Sequence, residues 1–275
     1  MSERTIAFIG GGNMARSLIG GLIADGHPAA ALRVAEPDSG RREELIADFG
    51  VQGFAENATA TRGADAVIFA VKPVMMAAVS RDLAAQIREQ GSLCISIAAG
   101  VRAADLASWL GDEVAIVRAM PNTPALVQTG ATALYANEVA NAEQRDVAET
   151  TLRTAGMVVW LPDEQSMDVV TALSGSGPAY FFLTMEAMQA AGESLGLSEQ
   201  TARLLTLETA LGAARMALES SEDPASLRRR VTSPGGTTAA AIAELETGDL
   251  AALYQRAISA GARRAAELGD DLGDQ

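Results

Sequence analysis

Short β-branched apolar runs alternate with helical patterns over residues 1–165, and this alternation constrains the fold more strongly than any other feature. Six of the runs predict strands, at Thr5 to Ile9, Leu32 to Ala35, Ala66 to Ala70, Leu93 to Ile97, Val114 to Ala119 and Met157 to Leu161. Helical spacing predicts helices between them, over Asn13 to Ala24, Ser39 to Phe49, Val74 to Gln90 and Ala142 to Thr154. Strands that alternate with helices form mainly parallel sheets covered on both faces. The pattern predicts an α/β domain with a doubly wound sheet.

From Ser166 onward the strand signal ends, and alanine, leucine and methionine recur at helical spacing. The predicted helices cover Ala179 to Leu195, Glu199 to Glu219 and Leu250 to Leu268, and the acidic end from Gly269 to Gln275 is predicted to fray. We therefore expect two domains, residues 1–165 and residues 166–275, of which the second is all-α. Its small apolar residues suit either a packed core or a subunit interface.

Composition narrows the classes of function. A net charge of −14 argues against nucleic acid and anionic membranes as partners. Apolar runs stop short of the ~18 residues that a membrane span requires, and no signal-peptide pattern is present, so we expect a cytoplasmic protein. The chain has one cysteine, Cys94, and one histidine, His27, which argues against disulfides, metal clusters and histidine triads.

The run Ile9-Gly10-Gly11-Gly12-Asn13-Met14-Ala15, here called the first glycine turn, follows the first predicted strand and opens the first predicted helix. Its glycines and Ala15 fit the G-x-G-x-x-G/A fingerprint, in which missing side chains let a pyrophosphate approach a helix N-terminus. This context predicts a dinucleotide site.

Glu36 directly follows the second predicted strand, roughly 24 residues past the first glycine turn. This is close to the ~20-residue spacing at which an acidic residue meets the ribose hydroxyls of NAD. Arg41 and Arg42 follow and could instead accept the 2′-phosphate of NADP, or lie on a solvated helix face. The choice between the two cofactors stays open.

Ligands of open α/β sheets bind beyond the carboxyl ends of the strands. Three loops there are predicted to form the nicotinamide half of the site: Val71-Lys72-Pro73, Ala98-Ala99-Gly100, and Met120 to Pro124 with Asn122. Lys72 is the single lysine among 21 cationic residues, which reflects either arginine-biased composition or a role in this loop.

A second glycine turn, Val231-Thr232-Ser233-Pro234-Gly235-Gly236-Thr237-Thr238, opens an alanine-rich helix. The hydroxyls of Ser233, Thr237 and Thr238 crowd a helix start where the dipole is positive, which predicts a site for a small anion. Arg230 precedes it and is a candidate for attracting that anion. The run Ser174-Gly175-Ser176-Gly177-Pro178 begins another helix, either as a cap or as a wall of the site.

Three motifs in order, Arg118 to Ala125, Ala172 to Tyr180 and Val231 to Thr238, give the chain a strong resemblance to the Δ1-pyrroline-5-carboxylate reductase family, from Ile6 to about Ala266. The resemblance implies an N-terminal Rossmann domain and a C-terminal helical dimerisation domain, in a homodimer or a pentamer of dimers. It implies NADPH or NADH as hydride donor and a cyclic imino acid, reduced to L-proline in proline biosynthesis, as substrate.

The resemblance also implies roles for residues at matching positions. Gly11, Asn13 and Met14 would contact the pyrophosphate, Glu36 and Asn57 the adenosine side, and Val71, Lys72 and Ala98 the inner cofactor, while Gly235, Gly236, Thr237 and Thr238 would hold the substrate. Glu36 stands where some family members carry serine or threonine. We expect the Thr238 hydroxyl to hydrogen-bond the ring nitrogen, as the catalytic residue, and the two glycine turns to serve one site.

Two rival functions remain on sequence grounds. β-Hydroxyacid dehydrogenases also join a Rossmann domain to helices, but they use a lysine in the helical domain, whereas Lys72 lies in the first domain. A non-catalytic dinucleotide sensor would keep the first glycine turn and have no need of the second.

Overall fold

An eight-stranded sheet organises the first of two units in the computed structural model, which describes residues 4–273. The first unit comprises residues 4–176 with 259–273, and the second comprises residues 177–258. No helix within the described residues is long and apolar enough to cross a membrane.

The strands follow the order β3-β2-β1-β4-β5-β6-β7-β8 across the sheet. Their bounds are β1 (Ile6–Ile9), β2 (Leu32–Ala35), β3 (Gln52–Phe54), β4 (Ala66–Phe69), β5 (Leu93–Ser96), β6 (Ile116–Met120), β7 (Gly130–Ala136) and β8 (Gly156–Trp160). All neighbouring strands are parallel except β6 and β7, which are antiparallel. The predicted doubly wound, mainly parallel sheet is confirmed.

Helices cover both faces of this sheet. They are α1 (Asn13–Ala24), α2 (Ser39–Phe49), α3 (Asn57–Thr61), α4 (Met76–Gln90), α5 (Ala103–Leu110), α6 (Ala142–Arg153) and α7 (Ser166–Val170). Because side chains alternate along a strand, Ile6 and Phe8 of β1 belong to one buried cluster, and Ala7 and Ile9 to another. Burial on both faces explains why β1 is an unbroken apolar run.

The sequence pattern missed the strands β3 and β7 and the short helices α3 and α5. β3 is only three residues long and contains Gly53, while alanine and glycine, which have low strand propensity, make up much of β7. A 3-10 turn over Thr123–Val127, in place of a crossover helix, joins β6 to β7. This short connection is what an antiparallel pair permits.

The C-terminal helix α12 (Leu250–Gly273) shows that the predicted frayed tail is wrong for residues 269–273. Leu272 is buried against the sheet unit, Asp270 pairs with Arg102 at 2.7 Å, and a Cβ on Gly269 would lie 3.1 Å from the Gly100 carbonyl oxygen. Residues 274 and 275 lie outside the described part. The sheet unit thus also takes in residues 166–176 and 259–273, which the predicted division assigned to the helical domain.

Helices alone make up the second unit: α8 (Gly177–Ser194), α9 (Glu199–Glu219), α10 (Pro224–Arg230), α11 (Thr237–Thr247) and the start of α12. Ser198 caps α9 and Asp223 caps α10 through main-chain N–H groups. The Ser226 N–H holds the pKa of Asp223 below its usual range.

Large apolar side chains of α8 are exposed, and Phe181 and Leu183 are both 66% exposed. Isolated exposed apolar residues are ordinary, but a run of them marks a surface that another molecule covers.

Candidate functional site

The carboxyl edge of the parallel strands gathers every residue predicted to bind the cofactor. Neighbouring strands lie about 4.8 Å apart, so these residues form a row along that edge in the order of the strands. Across the sheet the row consists of Asn57 beyond β3, Glu36 beyond β2, Gly10, Gly11, Gly12, Asn13 and Met14 beyond β1, Val71, Lys72 and Pro73 beyond β4, Ala98 beyond β5 and Asn122 beyond β6. This edge is where doubly wound folds bind dinucleotides.

Gly10 makes the first glycine turn possible. Its φ is +98°, and a Cβ there would lie 2.6 Å from the Ala70 carbonyl oxygen, so only glycine fits. Its N–H donates to the Ala35 carbonyl at 2.9 Å. Gly12 caps α1 without a side-chain hydrogen bond, and the space around its Cβ position is open. The first N–H groups of α1 therefore face open space that suits a pyrophosphate.

The Glu36 carboxylate is fixed beside this turn. It is only 6% exposed, and its two oxygens accept the N–H groups of Gly11 and Asp38, each at 3.0 Å. A Cβ on Gly11 would lie 2.6 Å from Leu45 Cδ1 and 3.2 Å from Glu36 Cβ, so a larger residue here would press on both side chains. The carboxylate thus lies directly beside the dinucleotide turn.

Arg42 turns back to the main chain. Its Nη1 donates to the carbonyl oxygens of Glu36 at 2.6 Å and Pro37 at 3.3 Å. Arg41 is exposed, and its main-chain N–H donates to the Asp38 carboxylate at 2.8 Å as part of the α2 cap. Arg42 therefore fixes the end of β2, which the sequence could not show.

The loops that follow β4 and β5 carry residues that differ in size and in exposure. Val71 borders the turn, since its Cγ1 would lie 3.2 Å from a Cβ on Gly10. Lys72 is exposed and caps a 3-10 turn that begins at Pro73, and Ala98 is buried. Lys72 is therefore available to a ligand at this edge.

Asn122 joins two segments that are far apart in sequence. Its Nδ2 donates to the Ser174 carbonyl at 3.0 Å, while its Oδ1 accepts the Ala131 N–H at 2.9 Å. Ser174 lies in a π-helical turn, Thr171–Gly175, and a Cβ on Gly175 would lie 2.5 Å from Met120 Cε. Such turns are rare and often occur at functional sites. The beginning of the SGSGP run therefore packs on the loop that follows β6.

Sequence reasoning also missed the ion pair between buried Arg118 and half-buried Glu164. Glu164 additionally accepts the Ala103 N–H at 2.6 Å. The pair therefore ties β6, just before the Asn122 loop, to the start of α5. Its signal in the sequence was an arginine inside an apolar strand.

The second glycine turn lies in the helical unit. Gly235 has φ +70°, Gly236 caps α11 without a side-chain hydrogen bond, and the first bonded helical N–H is that of Ala240. The N–H groups of Thr237 and Thr238 thus precede the helical ladder. Ser233 and Thr237 are exposed and Thr238 is half-buried. The turn fits a small anion such as a carboxylate.

The arginines before this turn have partners within the unit. Arg230 pairs with Glu222 at 2.6 Å and Arg228 with Glu246 at 2.9 Å, and Arg229 donates to Ser226 Oγ at 2.7 Å. The expected role of Arg230 in attracting an anion is therefore weakened by its pairing with Glu222.

Neither a reactive thiol nor a cluster of metal ligands is found among the described residues. Burial raises the pKa of the Cys94 thiol far above its usual range, so no thiolate forms at neutral pH. Among residues 4–273 no group of three His, Cys, Asp or Glu side chains could hold a metal ion. The geometry suits binding and orientation of ligands.

Comparison with known proteins decides the family. The model "Pyrroline-5-carboxylate reductase dimerisation" matches residues 164–268, and the model "NADP oxidoreductase coenzyme F420-dependent" matches residues 5–100. A pyrroline-5-carboxylate reductase of Pseudomonas aeruginosa is 51% identical over 273 residues, which cover 99% of this chain and 100% of the relative. The chain belongs to the pyrroline-5-carboxylate reductase family.

Solved members of the family share the whole fold. The Coxiella burnetii reductase is 45% identical with a TM-score of 0.94, and the match covers 97% of this chain and 99% of the other. The Plasmodium falciparum enzyme, whose structure was solved with NADP bound, is 27% identical with a TM-score of 0.86, covering 98% and 99%. The family resemblance found in the sequence motifs is confirmed.

Proposed function

We propose that this chain reduces L-1-pyrroline-5-carboxylate to L-proline with NADPH or NADH, in proline biosynthesis in the cytoplasm. The observation that carries the proposal is 51% identity over the full length of a named reductase. The two glycine turns support it, because one fits a dinucleotide and the other a small carboxylate.

The first glycine turn and its neighbours hold the cofactor. The N–H groups of α1 bind the pyrophosphate together with Asn13 and Met14, Glu36 and Asn57 bind the adenosine side, and Val71, Lys72, Pro73, Ala98 and Asn122 border the nicotinamide. A bound dihydronicotinamide supplies hydride to C5 of the substrate.

The second glycine turn holds the substrate. Main-chain N–H groups at Thr237 and Thr238 bind its carboxylate, and Ser233 and Gly235 shape the turn around it. The Gly236 N–H, also expected to bind the carboxylate, instead donates to the Ser233 carbonyl at 3.0 Å and so closes the turn. The Thr238 hydroxyl hydrogen-bonds the ring nitrogen. The ring must then be oriented for attack at C5, and orientation is a large part of catalysis in such a site.

The substrate brings its own proton, so the chain needs no catalytic acid at the ring. A protonated C=N bond accepts hydride at carbon, its π electrons become the lone pair of nitrogen, and the amine then takes a proton from water. Thr238 stabilises the charged nitrogen by a hydrogen bond. This account uses neither His27 nor Cys94.

The helical unit accounts for assembly. Phe181, Phe182 and Leu183 of α8 are each about two-thirds exposed, and the dimerisation model spans this unit. We propose a homodimer that covers these faces, with a pentamer of dimers as the full assembly. Sedimentation velocity measures the mass directly.

Purified protein should oxidise NADPH or NADH, followed by absorbance, when given pyrroline-5-carboxylate. Piperideine carboxylates test ring size, and 3-hydroxy acids with NADP or NAD test the dehydrogenase alternative. Activity toward hydroxy acids alone would overturn the proposal, and dinucleotide binding without turnover of any imino acid would favour a sensor.

A further inference from the structure

A fixed negative charge lies at the ribose end of the dinucleotide edge. The Glu36 carboxylate is held on both oxygens by the N–H groups of Gly11 and Asp38, and burial prevents it from swinging into solvent. Gly11 belongs to the turn that receives the pyrophosphate. The carboxylate is therefore held in place before any ligand arrives.

The arginines nearest this carboxylate donate to main-chain carbonyls or are exposed, and within the described residues none of them pairs with the Glu36 carboxylate itself. Arg42 donates to two main-chain carbonyls, of Glu36 and Pro37, and Arg33 donates to the carbonyl of Arg62. Arg41 is exposed, and the nearby Asp38 adds a second carboxylate to the same strand end. A dianionic 2′-phosphate would meet like charge here, whereas ribose hydroxyls would meet an acceptor.

We propose that Glu36 makes this chain select NADH over NADPH, by accepting the hydroxyls of the adenosine ribose and repelling a 2′-phosphate. The inference rests on the dinucleotide site of the proposed function. A relative's bound NADP does not decide the matter for this chain, because the choice depends on the residue that follows β2 in each protein.

Titration of each dinucleotide, followed by its own fluorescence without imino acid, tests the proposal. The wild-type protein should bind NADH at least 10-fold more tightly than NADPH. Glu36→Gln keeps the size and one acceptor but removes the charge, so the affinity ratio should shift toward NADPH by at least 10-fold. Glu43→Gln, an exposed position on α2, makes the same charge change and should leave the ratio unaltered. Thermal unfolding checks that each variant is folded.

Equal or tighter NADPH binding by the wild type, or an unchanged ratio in Glu36→Gln, would overturn the proposal. So would a selective loss of NADPH affinity in Arg41→Ala or Arg42→Ala, since these arginines would then be binding the 2′-phosphate. NADH selection without turnover of the imino acid would refute the proposed reaction and leave this inference standing. Equal turnover of the imino acid with both cofactors, together with equal affinities for them, would support the proposed reaction and overturn this inference.

Discussion

Replacing Thr238 with valine tests the most specific chemical role proposed for this chain. Thr238 is the second residue of α11, and its hydroxyl is not needed to cap the helix, because Gly236 is the cap and uses no side chain. Valine matches threonine in shape and in helix propensity. The variant should therefore fold with a free energy of unfolding within about 0.5 kcal/mol of wild type.

The loss of activity follows from the hydrogen bond that is removed. A hydrogen bond to a charged group contributes about 1.5–3 kcal/mol. At about 1.36 kcal/mol per tenfold in rate, kcat/KM should fall roughly 10- to 150-fold. Thr238→Ser keeps the hydroxyl and should recover most of this loss.

The assay is the initial rate of cofactor oxidation with pyrroline-5-carboxylate, at several concentrations of the imino acid. Thr247→Val makes the same change at the exposed last residue of α11 and serves as the control. Wild-type kcat/KM in Thr238→Val would refute the proposed role. An equal loss in Thr238→Val and Thr247→Val would show that the helix, and not the hydroxyl, is responsible.

Three further predictions address the sheet unit. Gly10→Ala should lower the free energy of unfolding in urea by at least about 1–3 kcal/mol, because Gly10 has a positive φ and lies close to the Ala70 carbonyl. Gly12→Ala should leave the free energy of unfolding unchanged but weaken dinucleotide binding, because the added Cβ enters open space at the start of α1. Equal free energies of unfolding for the two variants would contradict this. Asn122→Asp places a charge against the π-helical turn, so hydrogen exchange over residues 171–177 should accelerate, and unchanged protection would show that the contact is dispensable. The Trp160 Nε1–H donates to Glu149 Oε2 at 2.6 Å and holds the pKa of Glu149 below its usual range. This contact is therefore present at neutral pH and is lost only as pH falls through the lowered pKa. Trp160 fluorescence should show this acid transition, and Glu149→Gln should remove it.

The parts of the fold that depend on local sequence could be predicted. α1, α2 and α9 have the bounds that apolar spacing and caps indicated, because those signals lie within each helix. β3 is different, since its three residues become a strand through pairing with β2. Such pairing depends on residues that are distant in sequence, and no local pattern encodes it.

Some features of the candidate site could likewise be predicted from local sequence, and others could not. The need for glycine at positions 10 and 235 follows from the motifs, and the structure gives both a positive φ. The contact between Asn122 and Ser174 spans 52 residues and has no local signal. Whether Arg42 extends into solvent or returns to the main chain could also be decided only by the structure.

Transfer of deuterium tests the central claim most directly. The protein is given pyrroline-5-carboxylate with NADH or NADPH that carries deuterium at C4 of the nicotinamide on the transferred face, and the product is analysed by mass spectrometry and NMR. The account predicts L-proline with one deuterium, bound to C5. Deuterium at any other carbon, or cofactor oxidation without proline, would contradict it.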